Sequence, residues 1–194
     1  SMHRMSSNLY IITAPSGAGK TTLIKRVLEY AQEYSKKVSL SISHTTRAPR
    51  DGEEDGKDYL FVSEKEFKEN IEKKEYIEYA TVHGNYYGTP KSQIDTVLNK
   101  DLKILLEIDW QGALQIMDHY PDAESIFISP PSVDELRKRL MERGLDSEEV
   151  INRRIAGAQM EMDKSSHFKH QITNISLDIA TKNLLNIMFR ENHG

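Results

Sequence analysis

The chain has 194 residues, 38% of them hydrophobic and 29% charged, with a formal net charge of -4. That balance suits a folded globular domain able to bury a sizeable core, and it argues against nonspecific nucleic-acid binding, which needs a basic surface. The absence of cysteine excludes disulfides and thiolate chemistry and fits a cytoplasmic setting. No apolar run approaches the ~20 residues needed to span a bilayer, so no membrane association is expected. Residues 1–4, ahead of Met5, read as an expression scar and not as a signal peptide.

The first apolar run, Leu9-Tyr10-Ile11-Ile12, has strand character. It leads into Ala14-Pro15-Ser16-Gly17-Ala18-Gly19-Lys20-Thr21-Thr22, and helical spacing follows through Leu23, Val27, Leu28 and Ala31. Strand, glycine-rich turn and helix together are the setting of a phosphate-binding P-loop. The glycines let backbone N–H groups turn toward phosphate oxygens, and the helix start adds the positive end of its dipole. Lys20 is then expected to reach the β- and γ-phosphates of a nucleotide, and the Thr21 hydroxyl to ligate magnesium. Ala14 stands where the general motif has its first glycine. The plainer alternative is a flexible turn before an ordinary amphipathic helix.

Val38, Leu40 and Ile42 alternate with serines as in a strand, and a loop marked by Pro49 and Gly52 follows. Tyr59–Val62 reads as a strand. Ser63 with Glu66 forms a capping box for a helix carrying Phe67 and Ile71. Tyr76–Val82 is another strand, closed by the turn His83-Gly84-Asn85, and a helix runs through Ile94, Val97 and Leu98. Residues 44–89 therefore form a small β-rich insertion. Lys103–Asp109 has the near-continuous apolar run of a buried parallel strand, followed by a helix through Ile116 and Met117. Ser125–Ile128 repeats the buried-strand pattern and stops at Pro130-Pro131. Ser132 with Glu135 caps a helix ended by Gly144, a second helix starts near Ser147, and a short strand 171–173 precedes a C-terminal helix. Alternating strands and helices predict an α/β fold with a mostly parallel sheet flanked by helices.

Three side-chain constellations carry chemistry. Arg47 and Arg50 lie three apart in a loop, where two guanidinium groups either clamp a dianion such as a monophosphate or stay solvated beside the acidic run 51–58. Arg139 and Arg143 share one helical face and Arg154 follows on the next helix. They can close over a triphosphate as a lid, or pair with Glu135, Glu142 and Glu149. Glu107 and Asp109 fall at the C-terminal end of a buried strand, where open α/β sheets place ligands. Carboxylates there hold a magnesium, a hydroxyl or an arginine. His167 and His170, the only close histidine pair, lack a ligand pattern and read as surface residues.

With these residues in view, the chain resembles guanylate kinase over nearly its whole length. The resemblance rests on A-P-S-G-A-G-K-T in the P-loop, S-H-T-T-R-A-P-R-D-G-E from Ser43 to Glu53, and G-K-D-Y from Gly56 to Tyr59. It continues in Y-I-E-Y from Tyr76, G-N-Y-Y-G-T from Gly84 and L-E-I-D-W-Q-G from Leu106. Alanine at position 14 is common in that family. The resemblance implies a P-loop NTPase-like sheet, a GMP-binding insertion over 44–89, a lid over 131–162 and core segments 5–43, 90–130 and 163–194. It implies the reaction ATP + GMP → ADP + GDP with magnesium, dGMP as a further acceptor, and it allows a homodimer.

By similarity, Arg47, Arg50, Tyr59 and Tyr87 would hold the GMP phosphate, and Ser43, Glu78 and Thr89 would read the guanine. Glu53, Gly88, Glu107 and Asp109 would lie close to the nucleotide. The loop residues Ala14, Pro15, Ser16, Gly17, Ala18, Gly19, Lys20, Thr21 and Thr22 would bind ATP, with Asn174 beside the adenine. Lys20, Arg47, Arg139, Arg143 and Arg154 would act on the phosphoryl group in transfer. After Asn174 this chain has Ile175 and Ser176 where the family commonly writes N-D-D. A scaffolding module that keeps the fold without catalysis is the competing class, but such modules lose parts of the phosphate loop. A kinase for AMP or dTMP is the competing enzyme, and the Ser43 and Glu78 pattern speaks against it.

Overall fold

The computed structural model describes residues 8–15 and 17–189; residues 1–4 and Ser16, singled out above, lie outside them. In chain order the elements begin β1 (Leu9–Thr13), α1 (Lys20–Glu33), β2 (Val38–Leu40), β3 (His44–Thr45), β4 (Leu60–Phe61), α2 (Glu64–Glu72), β5 (Tyr76–Val82) and β6 (Asn85–Pro90). They continue α3 (Lys91–Asn99), β7 (Lys103–Glu107), α4 (Trp110–His119), β8 (Glu124–Ser129), α5 (Val133–Arg143), α6 (Glu148–Met162), β9 (His170–Thr173) and α7 (Leu177–Met188). Five strands form one sheet in the order β2-β7-β1-β8-β9, and four form a second in the order β4-β3-β6-β5. The chain divides into two compact units. One ends its first stretch at Ile11 and resumes over Val38–Ala123, and the other takes Ile12–Lys37 and resumes at Glu124.

In the first unit β2 and β7 pair in parallel, with Ser39 opposite Ile104. Ile104, Leu105 and Leu106 are fully buried, which is why the run lacks alternation. The strand is shorter than the apolar run predicts. It ends at Glu107, and Asp109 instead caps α4, its Oδ1 accepting from Gly112 N at 3.0 Å. β2 likewise stops before Ile42, whose N–H donates to Gln93 Oε1 (3.0 Å) on α3. β3 and β6 form where the sequence shows no strand pattern. Each is defined by its neighbour, His44 opposite Gly88 and Thr45 opposite Tyr87. The β5–β6 hairpin turns at His83 and Gly84, both with positive φ (50° and 80°), the two-residue turn that matches strand twist.

In the second unit β8 and β9 pair in parallel around fully buried Ile126, Phe127 and Ile128. Ser132 caps α5 by accepting from Glu135 N (2.9 Å), and Gly144 ends it with φ 66°. Ser147 then caps α6, accepting from Val150 N at 3.3 Å. The two helices bury Leu136, Leu140, Ile151, Ile155 and Ala158 as one cluster, and Arg137 Nη1 donates across to Asn152 Oδ1 (2.7 Å). His170, read from the sequence as half of a surface pair, is half-buried with its Nε2 2.6 Å from Glu124 Oε2. Among the described residues no helix is long and apolar enough to cross a membrane.

Truncating Leu105, which has no exposed surface, should cost about 2–5 kcal/mol because the cavity left behind cannot collapse fully. Urea unfolding of Leu105→Ala should show a lower midpoint at unchanged slope. A loss under about 1 kcal/mol would mean that the centre of β7 is loosely packed.

Candidate active site

The phosphate loop belongs to the second unit. Gly17 and Gly19 take positive φ of 85° and 84°, conformations that side chains disfavour. Space demands them too, since a Cβ on Gly17 would meet Leu136 Cδ1 at 2.5 Å and one on Gly19 would collide with Asn174 Nδ2. Gly19 starts α1, and among the described residues no side chain caps that helix and no acid sits in its first turn. No capping side chain or first-turn acid among these residues therefore competes with an anion for that helix start. Lys20, Thr21 and Thr22 are its first three residues, both threonines exposed. Ala18 N donates to Pro15 O (3.2 Å), and Asn174 Nδ2 donates to Ala18 O (2.8 Å), so Asn174 grips the loop backbone.

Arg139, Arg143 and Arg154 are exposed on α5 and α6. Arg139 lies 3.5 Å from Glu135, as the spacing allows, and its Nη1 reaches Gly17 O at 3.4 Å. Arg143 and Arg154 share Asp146, an acid the sequence reading passed over. Both arginines line a cavity of about 350 Å³ together with Gly17, Leu136 and Leu140.

The first unit holds the other half of the expected site. A cavity of about 320 Å³ is lined by Ser43, Tyr59, Glu78, Tyr87, Glu107 and Asp109. Ala80, Val82 and Ile108, not singled out from the sequence, add apolar wall. Their signal was only their position: Ile108 sits between two acids, and Ala80 and Val82 follow Glu78 by steps of two along β5. Glu78 does not point to solvent, as simple alternation would allow. It is 7% exposed and accepts a hydrogen bond from Thr89 Oγ1 at 2.7 Å. Burial, reinforced by Asp109, pushes its carboxyl above the ordinary value of 4.5, against the Thr89 bond. Gly88 is required beside it, because a Cβ would lie 2.8 Å from Tyr76 Cδ1 and 3.0 Å from Phe67 Cζ.

Arg47 is held by an acid of its own loop. Its Nη1 and Nη2 donate to the two oxygens of Glu53 at 2.9 and 3.0 Å, a bidentate pair, and its guanidinium lies 5.3 Å from the centre of the Tyr59 ring. The Tyr59 and Tyr87 rings are 6.0 Å apart. Arg50 is exposed and joins through its backbone N–H, which donates to Glu53 Oε1 at 2.7 Å. These two donors, Arg47 first, hold the Glu53 carboxyl down at about 2. Glu53 thus supplies the negative charge that lets the arginines stand together.

Comparison with known proteins gives the family. The guanylate kinase family model matches residues 6–191. The chain belongs to the guanylate kinase family. It is 50% identical over 180 residues to a guanylate kinase of Dechloromonas aromatica, covering 93% of this chain and 87% of that protein. It is also 50% identical over 172 residues to one of Vibrio cholerae, covering 89% and 82% respectively. A crystal structure of guanylate kinase from Anaplasma phagocytophilum superposes with a TM-score of 0.74 at 33% identity, over 97% of this chain and 87% of that one. The fold is that of the P-loop NTPases, a parallel five-stranded sheet flanked by helices.

Burying Glu78 gives a stability signature. Its carboxyl is raised in the folded state, so the unfolded chain ionises first and stability on its account falls as pH rises from 4.5 upward. Glu78→Gln keeps an acceptor for Thr89 and removes that slope. The variant, free of ligand, should melt above the wild type at pH 7.5 and level with it at pH 4. An equal offset at both pH values would show that ionisation of Glu78 is not the source.

Proposed function

We propose that this guanylate kinase transfers the γ-phosphoryl group of ATP to GMP, giving ADP and GDP, with dGMP as a further acceptor. The observation that carries the acceptor is the buried Glu78 carboxylate, fixed by Thr89 on a cavity wall. Guanine offers N1–H and the 2-amino group as adjacent donors, which one carboxylate accepts with its two oxygens. Adenine has a bare N1 acceptor at that edge and would face the carboxylate with no proton between them. Ser43 completes the base contacts, and Gly88, Glu107 and Asp109 border the nucleoside.

The acceptor phosphate goes to Arg47, Arg50, Tyr59 and Tyr87, with Glu53 holding the first two in place. ATP lies on residues 14–22 with Asn174 behind the loop. A GMP phosphate oxygen attacks the γ-phosphorus as the bond from that phosphorus to the β,γ-bridging oxygen breaks, and ADP leaves with the bridging oxygen. The GMP phosphate is largely a dianion at pH 7, its second pKa being about 6, so no side chain need take a proton. Lys20, Arg139, Arg143 and Arg154 neutralise charge on the transferring group. Thr21, exposed on the first turn of α1, would hold magnesium, which would supply further neutralisation of charge on ATP. We assign residues 44–89 to the acceptor insertion and 131–162 to the lid. A cytoplasmic setting completes the proposal and rests on the cysteine-free sequence.

A coupled assay for ADP formation, offering GMP, AMP, UMP and dTMP in turn, tests the reading. GMP should be preferred to AMP by ~10⁴-fold or more in kcat/KM, because a buried carboxylate left unpaired is costly. Glu78→Ala should lose most of that preference while KM for ATP stays unchanged. Use of AMP nearly as well as GMP would end the assignment, and no turnover with any acceptor would favour a binding module. Lys20→Ala should lower kcat on the order of 10³-fold or more with the fold intact. Activity within a few-fold of wild type would rule out a P-loop mechanism.

A further inference from the structure

Between α5 and α6 the chain makes a three-residue turn, Gly144-Leu145-Asp146, that ends at the cap residue Ser147. Its backbone is fixed at both sides, by the left-handed Gly144 and by the Ser147 hydroxyl bonded to Val150 N. Leu145 points outward, 75% exposed, whereas the Asp146 side chain is only 17% exposed. One oxygen of that side chain, Oδ2, takes both neighbours: Arg143 Nη2 at 3.2 Å and Arg154 Nη1 at 3.7 Å. The two guanidinium groups come from different helices, which the Leu136, Leu140, Ile151, Ile155 cluster holds at fixed spacing. Both face the cavity that Gly17 of the phosphate loop also lines.

Two guanidinium groups that close repel each other, and solvent-exposed arginines otherwise sample many rotamers. We propose that Asp146 is a positioning residue for phosphoryl transfer, its carboxylate holding Arg143 and Arg154 together around one oxygen so that a phosphoryl group can take that oxygen's place. The inference rests on the reading of the chain as an ATP:GMP phosphotransferase. Asp146 touches no reacting atom; it acts through the two arginines. Its exchange for phosphate is open to both arginines because they are about half exposed, 49% and 46%, and each meets Asp146 through a single nitrogen, at 3.2 and 3.7 Å. What it contributes is geometry, with the lid cations already converged when ATP arrives.

Asp146→Asn keeps the shape and removes the charge, and Asp146→Glu keeps the charge. Steady-state kinetics with ATP and GMP should show kcat of Asp146→Asn down on the order of tenfold, the scale at which outer-shell partners act, with KM for GMP within twofold of wild type. Asp146→Glu should recover most of the lost rate, and both variants should melt close to the wild type. A kcat of Asp146→Asn within twofold of wild type would overturn the proposal. So would an equal loss in Asp146→Glu, since charge would then not be what matters. A wild type that fails to phosphorylate GMP would instead overturn the functional reading and is seen in the same assay.

Discussion

The first compact unit is arranged around one buried carboxyl group. Glu78 loses the solvation of an ionisable group and receives one neutral hydrogen bond, from a threonine that is itself fully buried. Such a group is destabilising until a ligand with matched donors arrives. Several local features serve to keep it there. The register of β5 and β6 shifts between Tyr76 and Glu78, so that Tyr76 opposes Pro90 while Glu78 opposes Thr89. This irregularity brings the carboxylate onto its hydroxyl partner. Tyr76 and Phe67 stack with ring centres 4.6 Å apart and press on Gly88, leaving no room for any side chain at that position. Asn70 Nδ2 and His44 Nδ1 both lie within hydrogen-bond reach of the Tyr76 hydroxyl, at 3.1 and 2.8 Å. Apolar packing and a small polar network thus offset the cost of burying that carboxyl.

The arginines follow a different rule. Arg47 is parked on Glu53, Arg139 on Glu135, and Arg143 with Arg154 on Asp146. Exposure separates the two groups. In the Arg47–Glu53 pair the side chains are 11% and 21% exposed, and the contact is bidentate and backed by the Tyr59 ring. Arg139, Arg143 and Arg154 are close to half exposed, and each contact is through a single nitrogen. A shielded bidentate pair resists exchange, whereas exposed single contacts are worth at most about 1 kcal/mol and yield readily to a more highly charged partner. Arg47 is therefore part of a fixed platform with Glu53 and Tyr59. Arg139, Arg143 and Arg154 are free of such bidentate restraint and are better able to change partner under the proposed reading.

Local signals in the sequence were reliable wherever the physics is local. The caps Ser63, Ser132 and Ser147, the stop at Gly144 and the positive-φ turn at His83-Gly84 all lie where the spacing puts them. The uninterrupted apolar runs of β7 and β8 announced burial on both faces. β3 and β6 were not legible, because each takes its strand geometry from its partners, β3 from β4 and β6, and β6 from β3 and β5, and neither has an alternating pattern of its own. Glu78 was read as a base-facing residue by resemblance, yet alternation alone did not say which face of β5 is buried; the structure puts Glu78 on the same buried face as Tyr76, and the register shift that sets it opposite Thr89 has no local mark. Asp146 was missed for a related reason. Helical spacing nominates partners three or four residues away on the same helix, while Asp146 sits in a turn and reaches Arg154 across to the next helix.

The phosphate loop makes the same point more sharply, because it is the most local motif in the chain and still depends on distant residues. Glycine at 17 and 19 is usually explained by backbone freedom alone, and the φ values of 85° and 84° bear that out. Space is the second constraint. Leu136 of α5 closes over Gly17, and the Asn174 amide, 156 residues along the chain from Ala18, closes over Gly19 and bonds the Ala18 carbonyl. Tying that carbonyl away on the Asn174 side fixes the peptide plane between Ala18 and Gly19, and so directs the Gly19 N–H the opposite way. A glycine-rich segment without that tether would pay conformational entropy each time it ordered around phosphate. The tether shifts that ordering into folding, so that the loop meets its ligand with its donors already set.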